Sequence, residues 1–244
     1  VTRPAVDGVL FDVDDTLVDT HGAFAEALAA VTRAWLPDLE PARDGEVLAR
    51  WRTDAQGWYR RYTRGEVGYR EQRMARANEL HAVFGGPELD DDAYDRWNAL
   101  FEERFTAAWA AHADAAAAVR HLLDAGIRVG ALSNAATDYQ VRKLTRAGLA
   151  ADVPLLVGVD TLGFGKPDPR VFAEACRRLG TEPGRTAYVG DELDVDARAA
   201  TAAGLRGVWL ARPGLGSKGA RELHALPTDV VIASLDELPA ALGL

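Results

Sequence analysis

Asp12, Asp14 and Thr16 are spaced two residues apart in DVDDT, directly after the apolar run VDGVLF of residues 6–11. A carboxylate at the end of a buried strand can act as a nucleophile. A second one two residues on can donate and accept protons, provided the strand breaks there so that both turn to the same side. Three further groups offer matching chemistry. Ser133 and Asn134 follow the run IRVGAL, and a hydroxyl with the amides after it can hold a phosphoryl oxygen. Lys166, in GFGKPDPRVF, can neutralise a nucleophile and an incoming phosphate together. In YVGDELDVD, Asp191 closes another apolar run with Asp194 and Asp196 just behind it. Carboxylates clustered at a strand end repel one another unless a cation lies between them, and hard oxygen ligands suit Mg²⁺.

Each group also has a plainer counterpart. DVDDT fits a solvated turn, Ser133 a cap or turn, and Lys166 a solvated side chain before a proline turn. Asp194 and Asp196 fit a helix N-terminus, whose dipole favours negative charge. A calcium loop is excluded, because neither DVDDT nor DELDVD has the required Gly and terminal Glu.

The elements that must position these residues follow from the hydrophobic pattern. VDGVLF reads as a buried strand, and Asp19 and Thr20 as the cap region of a helix beginning near Gly22. From there to about His112 helical periodicity dominates, in AFAEALAAVTRAWL, GEVLARWRTDAQGWYRRY, YREQRMARANELHAVF and AYDRWNALFEERFTAAWAA. The pattern then alternates: helix AAAAVRHLLDAG, strand IRVGALS, helix TDYQVRKLTRAG, strand PLLVGVD, helix PRVFAEACRRLG, strand TAYVGD, helix VDARAATAAG, strand RGVWLA, strand DVVIA and a last segment SLDELPAAL. Repeated strand–helix units imply a doubly wound α/β fold, a parallel sheet with helices on both faces. The expected domains are a catalytic core over 1–18 and 113–244 and an inserted helical domain over 19–112. Ligands in such sheets bind beyond the carboxyl ends of the strands, where all four chemical groups fall.

DVDDTLVDT, LSN, GKPDP and VGDELDVD together resemble the four motifs of the haloacid dehalogenase (HAD) superfamily, and the helical insert resembles the C1 cap of its subfamily I. The resemblance spans nearly the whole chain and implies a Rossmann-like core. It implies that Asp12 attacks phosphorus to form an aspartyl-phosphate and that Asp14 serves as general acid and base. It further implies that Lys166, Ser133, Asn134 and Thr16 hold the phosphate, and that Asp12, the backbone carbonyl of Asp14 and Asp191 bind Mg²⁺, with Asp196 behind them. One departure stands out. The step from Asp191 to the second carboxylate is five residues to Asp196 or three to Asp194, whereas many members place it at four. The five-residue step resembles the branch of nucleotidases and acylneuraminate phosphatases.

The resemblance leaves competing functions. A dehalogenase would use Asp12 on carbon and has no use for a second acid/base carboxylate, so Asp14 argues against it. A phosphosugar mutase keeps the same residues but returns the phosphoryl group to sugar before water intervenes. A non-catalytic binding protein on the same fold would be marked by loss of Asp12, Asp14, Lys166 or Asp191, and none is lost. The expected reading is an Mg²⁺-dependent phosphatase acting on a small phosphorylated metabolite, because a closing cap would enclose the site.

Bulk properties narrow the class further. The net charge of −9 argues against a general nucleic-acid or anionic-membrane binder. The single Cys176 permits no intrachain disulfide and reads as core. With neither a signal-peptide layout at the start nor an apolar run of membrane-spanning length, a cytoplasmic location is expected. His21, His81, His112, His121 and His224 show no i, i+4 pair, which speaks against a transition-metal site. Between Trp58 and Arg73 aromatics alternate with arginines, either as an anion-binding surface or as bundle packing with a solvated basic face.

Overall fold

The computed structural model describes residues 6–215 and 230–244. Six strands form one sheet: β1 (Gly8–Phe11), β2 (Arg128–Leu132), β3 (Leu155–Val157), β4 (Thr186–Gly190), β5 (Arg206–Leu210) and β6 (Val230–Ile232). Their order is β3-β2-β1-β4-β5-β6 and every pairing is parallel. The helices are α1 (Thr20–Trp35), α2 (Asp44–Thr53), α3 (Trp58–Thr63), α4 (Tyr69–Phe84), α5 (Asp91–Ala107), α6 (Ala115–Asp124), α7 (Thr137–Arg146), α8 (Pro169–Leu179), α9 (Ala199–Ala202) and α10 (Leu238–Leu242). None among the described residues is long and apolar enough to cross a membrane.

The sheet is buried on both faces, which is why its strands read as short continuous apolar runs rather than as alternating ones. Successive side chains still part to opposite sides. Val9 and Phe11 of β1 and Ala187 and Val189 of β4 pack with Val119 and Leu122 of α6 and Leu238 and Leu242 of α10. Leu10 and Tyr188 point the other way, against Val171, Phe172 and Cys176 of α8. The register levels the strand ends. Phe11 lies opposite Ala131 on one side and Val189 on the other, so the residues that follow, Asp12, Ser133 and Asp191, emerge within about one residue rise, roughly 3.3 Å, of one another. β1 is also where strand order reverses, the place at which parallel sheets open a crevice.

The chain divides into two compact units, Val1–Thr20 with Trp109–Leu244, and His21–Ala108. Residues 19–20 and 109–112, expected in the helical domain, stay with the sheet unit, where Val18 bridges Ala111 and the amide of Asp19 donates to the carbonyl of Ala110 at 2.9 Å. The helical unit is built on aromatics: Phe24 meets Phe105 at 4.5 Å between ring centroids, and Trp97 stacks on Phe101 at 5.4 Å. Its arginines are drawn into this packing or matched by acids. Arg73 is buried over the Phe101 ring, 4.1 Å from its centroid, and pairs with Glu102 at 2.9 Å. Arg70 pairs with Asp95 at 2.8 Å and Arg61 lies over Trp58. The packing alternative therefore describes this segment better than an anion-binding surface.

Local chemistry explains several boundaries. α8 starts with the Asp168 side chain accepting from the Arg170 amide at 2.9 Å, with Pro169 in the first turn, and ends at Gly180 in the left-handed region. The helix expected near Gly22 begins two residues earlier, at Thr20. The stretch GEVLARWRTDAQGWYRRY is two helices, not one. Asp54 (φ 46°) and Gly57 (φ 71°) take left-handed backbone that no right-handed helix passes through, and the Asp54 carboxylate then accepts from the amides of Tyr59 and Arg60. VDGVLF shortens to Gly8–Phe11, with Asp7 drawn to Arg185 at 2.6 Å. Cys176 is buried, and His224 lies outside the described residues.

A partly buried set of charges ties the sheet unit together. Asp114, before α6, accepts from both Arg212 terminal nitrogens at 2.8 Å, from the Ser234 hydroxyl at 2.9 Å and from the Leu235 amide at 2.8 Å. Arg212 also donates to the Thr16 carbonyl at 3.0 Å. Burial alone would raise the Asp114 carboxyl, but these donors outweigh it and hold it at about 2. A carboxyl lowered in the folded state contributes stability that is complete above its unfolded value and disappears as pH falls through the folded one. Asp114→Asn is expected to cost roughly 2 kcal/mol at neutral pH, and the deficit relative to wild type should shrink between about pH 4 and pH 2. Urea denaturation across that range measures it; a deficit that does not change with pH would contradict this account.

Candidate active site

Asp12 leaves β1 with its amide still donating to Val189 of β4 at 2.8 Å, so the ladder fixes its backbone before the chain turns. Its side chain is buried beside the Lys166 ammonium. Lys166 Nζ lies 2.8 Å from Asp12 Oδ1, 2.7 Å from Asp196 Oδ1 and 2.8 Å from the Tyr188 hydroxyl, which matches the three protons of an ammonium to three oxygens. Tyr188 in turn donates to the Leu132 carbonyl at 2.9 Å. Burial would lower Lys166, yet the charges of Asp12 and Asp196 outweigh it and hold the ammonium well above its ordinary value. The Asn134 carboxamide fixes the Lys166 backbone from both sides, donating to its carbonyl at 2.9 Å and accepting from its amide at 2.6 Å. A Cβ on Gly165 would come within 2.2 Å of Asn134 Oδ1, so only glycine permits this clasp.

The carboxylates after β4 divide by role. Asp194 is exposed and pairs with Arg198 at 2.8 Å. Asp196 is buried, bonded to Lys166 and to the Glu192 amide at 2.9 Å. The helix expected over VDARAATAAG opens as a π-helical turn, Leu193–Arg198, before α9. A π turn takes up one more residue than an α turn. That accommodates the five-residue step from Asp191 and still aims Asp196 into the crevice. Asp12, Asp191 and Asp196 can each offer an oxygen within 4.8 Å of the others. Three carboxylates against one ammonium leave negative charge over, and an all-oxygen donor set of this size fits a hard divalent cation.

Asp14 faces a different set of partners. Its Oδ1 accepts from the Thr20 hydroxyl at 2.6 Å and from Lys143, and its Oδ2 accepts from Gln140 at 2.6 Å. Gln140 also donates to the Ser133 hydroxyl at 2.9 Å, which binds the Ser133 and Asp14 groups together. Thr16 is fully buried, and its hydroxyl oxygen makes no hydrogen bond within the protein.

A family model for haloacid dehalogenase-like hydrolases matches residues 6–204. The chain belongs to that family. It is 35% identical over 133 residues to a phosphoserine phosphatase of Thermus thermophilus, a match covering 54% of this chain and 51% of that protein. A glyceraldehyde 3-phosphate phosphatase of Methanopyrus kandleri is 28% identical over 85% of this chain and 84% of its own length. The fold is shared with a HAD hydrolase of Bacillus subtilis solved bound to magnesium, at a TM-score of 0.76 and 22% identity, covering 98% of this chain and 99% of that one.

Within this HAD fold, residues singled out by spacing form two adjoining clusters: Asp12 with Lys166, Asp191 and Asp196, and Asp14 with Ser133. The Asn134 carboxamide is engaged at both ends by Lys166, so any phosphate contact from this residue falls to its backbone amide. Gln140 and Lys143 belong to no motif in the sequence. TDYQVRKLTRAG reads simply as a helix, and Gln140 and Lys143 stand three apart on the face of α7 that also carries the buried Leu144. Polar residues on an apolar stripe were the available sign. His112, left unassigned by spacing, has a ligand atom within 4.8 Å of Asp15 and Asp19, so its partners are distant in sequence from any histidine repeat.

Gly190 supports the cluster sterically. A Cβ there would lie 2.3 Å from Asp196 Oδ2, whereas one on Gly184 would meet nothing within 4 Å. Gly190→Ala should destabilise the protein by about 1–3 kcal/mol through this clash. Gly184→Ala should stabilise by roughly 0.5 kcal/mol by restricting the unfolded chain. Denaturant midpoints of the two variants test the difference; equal midpoints would contradict the packing described.

Proposed function

We propose that the chain is an Mg²⁺-dependent phosphatase that hydrolyses a small phosphorylated metabolite through an aspartyl-phosphate on Asp12. The observation that carries this reading is the buried Asp12 carboxylate held on Lys166 beside Asp191 and Asp196 at the point where strand order reverses. The phosphatase names of the two relatives support it.

Asp12, Asp191 and the backbone carbonyl of Asp14 would hold Mg²⁺, which when bound supplies positive charge beside the transferring phosphoryl group. The remaining work falls to side chains. An Asp12 carboxylate oxygen attacks phosphorus and the ester P–O bond breaks. Lys166 balances charge on nucleophile and phosphoryl oxygens, while the Ser133 and Thr16 hydroxyls offer donors to the phosphate. Asp14 protonates the departing alcohol oxygen, then takes a proton from the water that attacks the acyl-phosphate, returning Asp12 and releasing phosphate. Asn134 contributes by fixing Lys166. Asp196 holds the far side of the same ammonium. The helical unit His21–Ala108 lies in the sequence where a C1 cap would, and we assign it to substrate selection on that basis.

An aryl phosphate should be hydrolysed in the presence of Mg²⁺, with EDTA abolishing turnover. Asp12→Asn should eliminate activity, and Asp14→Asn should lower kcat by about 10²–10⁴. Released inorganic phosphate is the readout. Full activity in Asp12→Asn would overturn the mechanism, and isomerisation of a phosphosugar without phosphate release would replace it with a mutase.

A further inference from the structure

We propose that Lys143 and Gln140 are positioning residues that fix the direction of the Asp14 carboxylate toward the leaving oxygen. The proposal rests on the reading of Asp14 as the general acid and base. Asp14 lies beyond the end of β1 in an isolated bridge to Val18, which holds its backbone but not its side chain, and an aspartate side chain without partners there would sample several rotamers. α7 supplies the restraint. Gln140 is fully buried and grips Oδ2 at 2.6 Å while holding Ser133 at 2.9 Å. Lys143 closes on Oδ1, the oxygen that Thr20 also approaches at 2.6 Å. Donors on both oxygens leave the carboxylate one orientation.

Lys143 is an expensive choice if it does nothing more than fill space. Its side chain is 2% exposed, and taking an ammonium out of water costs several kcal/mol before any pairing is counted. Trp109 and Tyr139 flank it, with the nitrogen 5.3 Å and 5.1 Å from their ring centroids, and their faces favour a cation. The two rings meet edge to face at 5.3 Å, so each is held by the other. Thr20 Oγ1 lies 3.5 Å from the same nitrogen. A methionine or leucine would pack among these rings without any desolvation cost. The ammonium is placed on the Asp14 carboxylate, and its role is to aim that group.

Leaving-group dependence separates aiming from general support, because kcat/KM covers the steps up to departure of the alcohol. A p-nitrophenolate leaves with little help from an acid, whereas an alkoxide needs a proton delivered at the right point. With the full chain and saturating Mg²⁺, Lys143→Met should lower kcat/KM for an alkyl phosphate by about 10²-fold and for p-nitrophenyl phosphate by less than about tenfold. Lys143→Arg should recover part of the alkyl activity. Gln140→Met, which leaves every charge in place, should show the same selectivity at roughly tenfold. Equal losses on both esters, or no loss on either, in both Lys143→Met and Gln140→Met would overturn the proposal. Asp14→Asn distinguishes the two levels. If its loss is also independent of the leaving group, the acid/base reading fails; if its loss is selective while those of the α7 variants are uniform, only the positioning role fails.

Discussion

Asp12, Asp191 and Asp196 offer oxygens within 4.8 Å of one another, and unit charges at that separation repel by about 3.5 kcal/mol per pair even at an effective dielectric of 20. One buried ammonium, Lys166, relieves part of this by bonding two of the three directly. The cluster therefore has to be forced together by the rest of the fold and kept short of positive charge. Both conditions suit a site that takes up a divalent cation and then a phosphate, each correcting the charge left by the other.

The forcing is done by backbone. Level ends of β1, β2 and β4 deliver Asp12, Ser133 and Asp191 to one edge of the sheet, and complete burial of β1 leaves that strand no freedom to slip. Gly190 and Gly165 allow two close approaches that any side chain would block, one for Asp196 and one for the Asn134 clasp on Lys166. Arg212 joins Asp114 to the Thr16 carbonyl, so the turn after Asp14 is anchored to the segments that follow β5 and precede α6. α7 then adds a second buried cation, Lys143, on the opposite carboxylate. Two lysines thus hold two aspartates two residues apart in sequence and keep them from competing for one partner.

Much of this was legible in the sequence because parallel strands announce themselves as apolar runs and functional residues sit at their ends. Asp12, Ser133 and Asp191 could be picked out for that reason, as could the doubly wound sheet, whereas Lys166, nine residues past the end of β3, is marked by the proline turn beside it. Spacing alone leaves Asp194 and Asp196 both open and only the family resemblance favours Asp196, since the choice turns on a π-helical turn that no residue type specifies. Gln140 and Lys143 were hidden by their polarity, which on a helix reads as solvent-facing until the packing shows otherwise. The break between α2 and α3 begins at Asp54, an aspartate in left-handed backbone where spacing gave no glycine to mark it. In the helical unit, mixed arginines and aromatics suit packing and also allow binding, and the Phe101 and Trp58 rings with the Glu102 and Asp95 partners decide for packing.

Calorimetric titration of Mg²⁺ into the wild-type chain and into Asp191→Asn, without substrate, reaches the electrostatic core of this account directly. One saturable Mg²⁺ per chain is predicted for the wild type, with affinity at least about tenfold weaker once the Asp191 carboxylate is neutralised. Equal Mg²⁺ affinity in the two proteins, or no binding by the wild type, would show that these carboxylates are gathered for some purpose other than holding a cation.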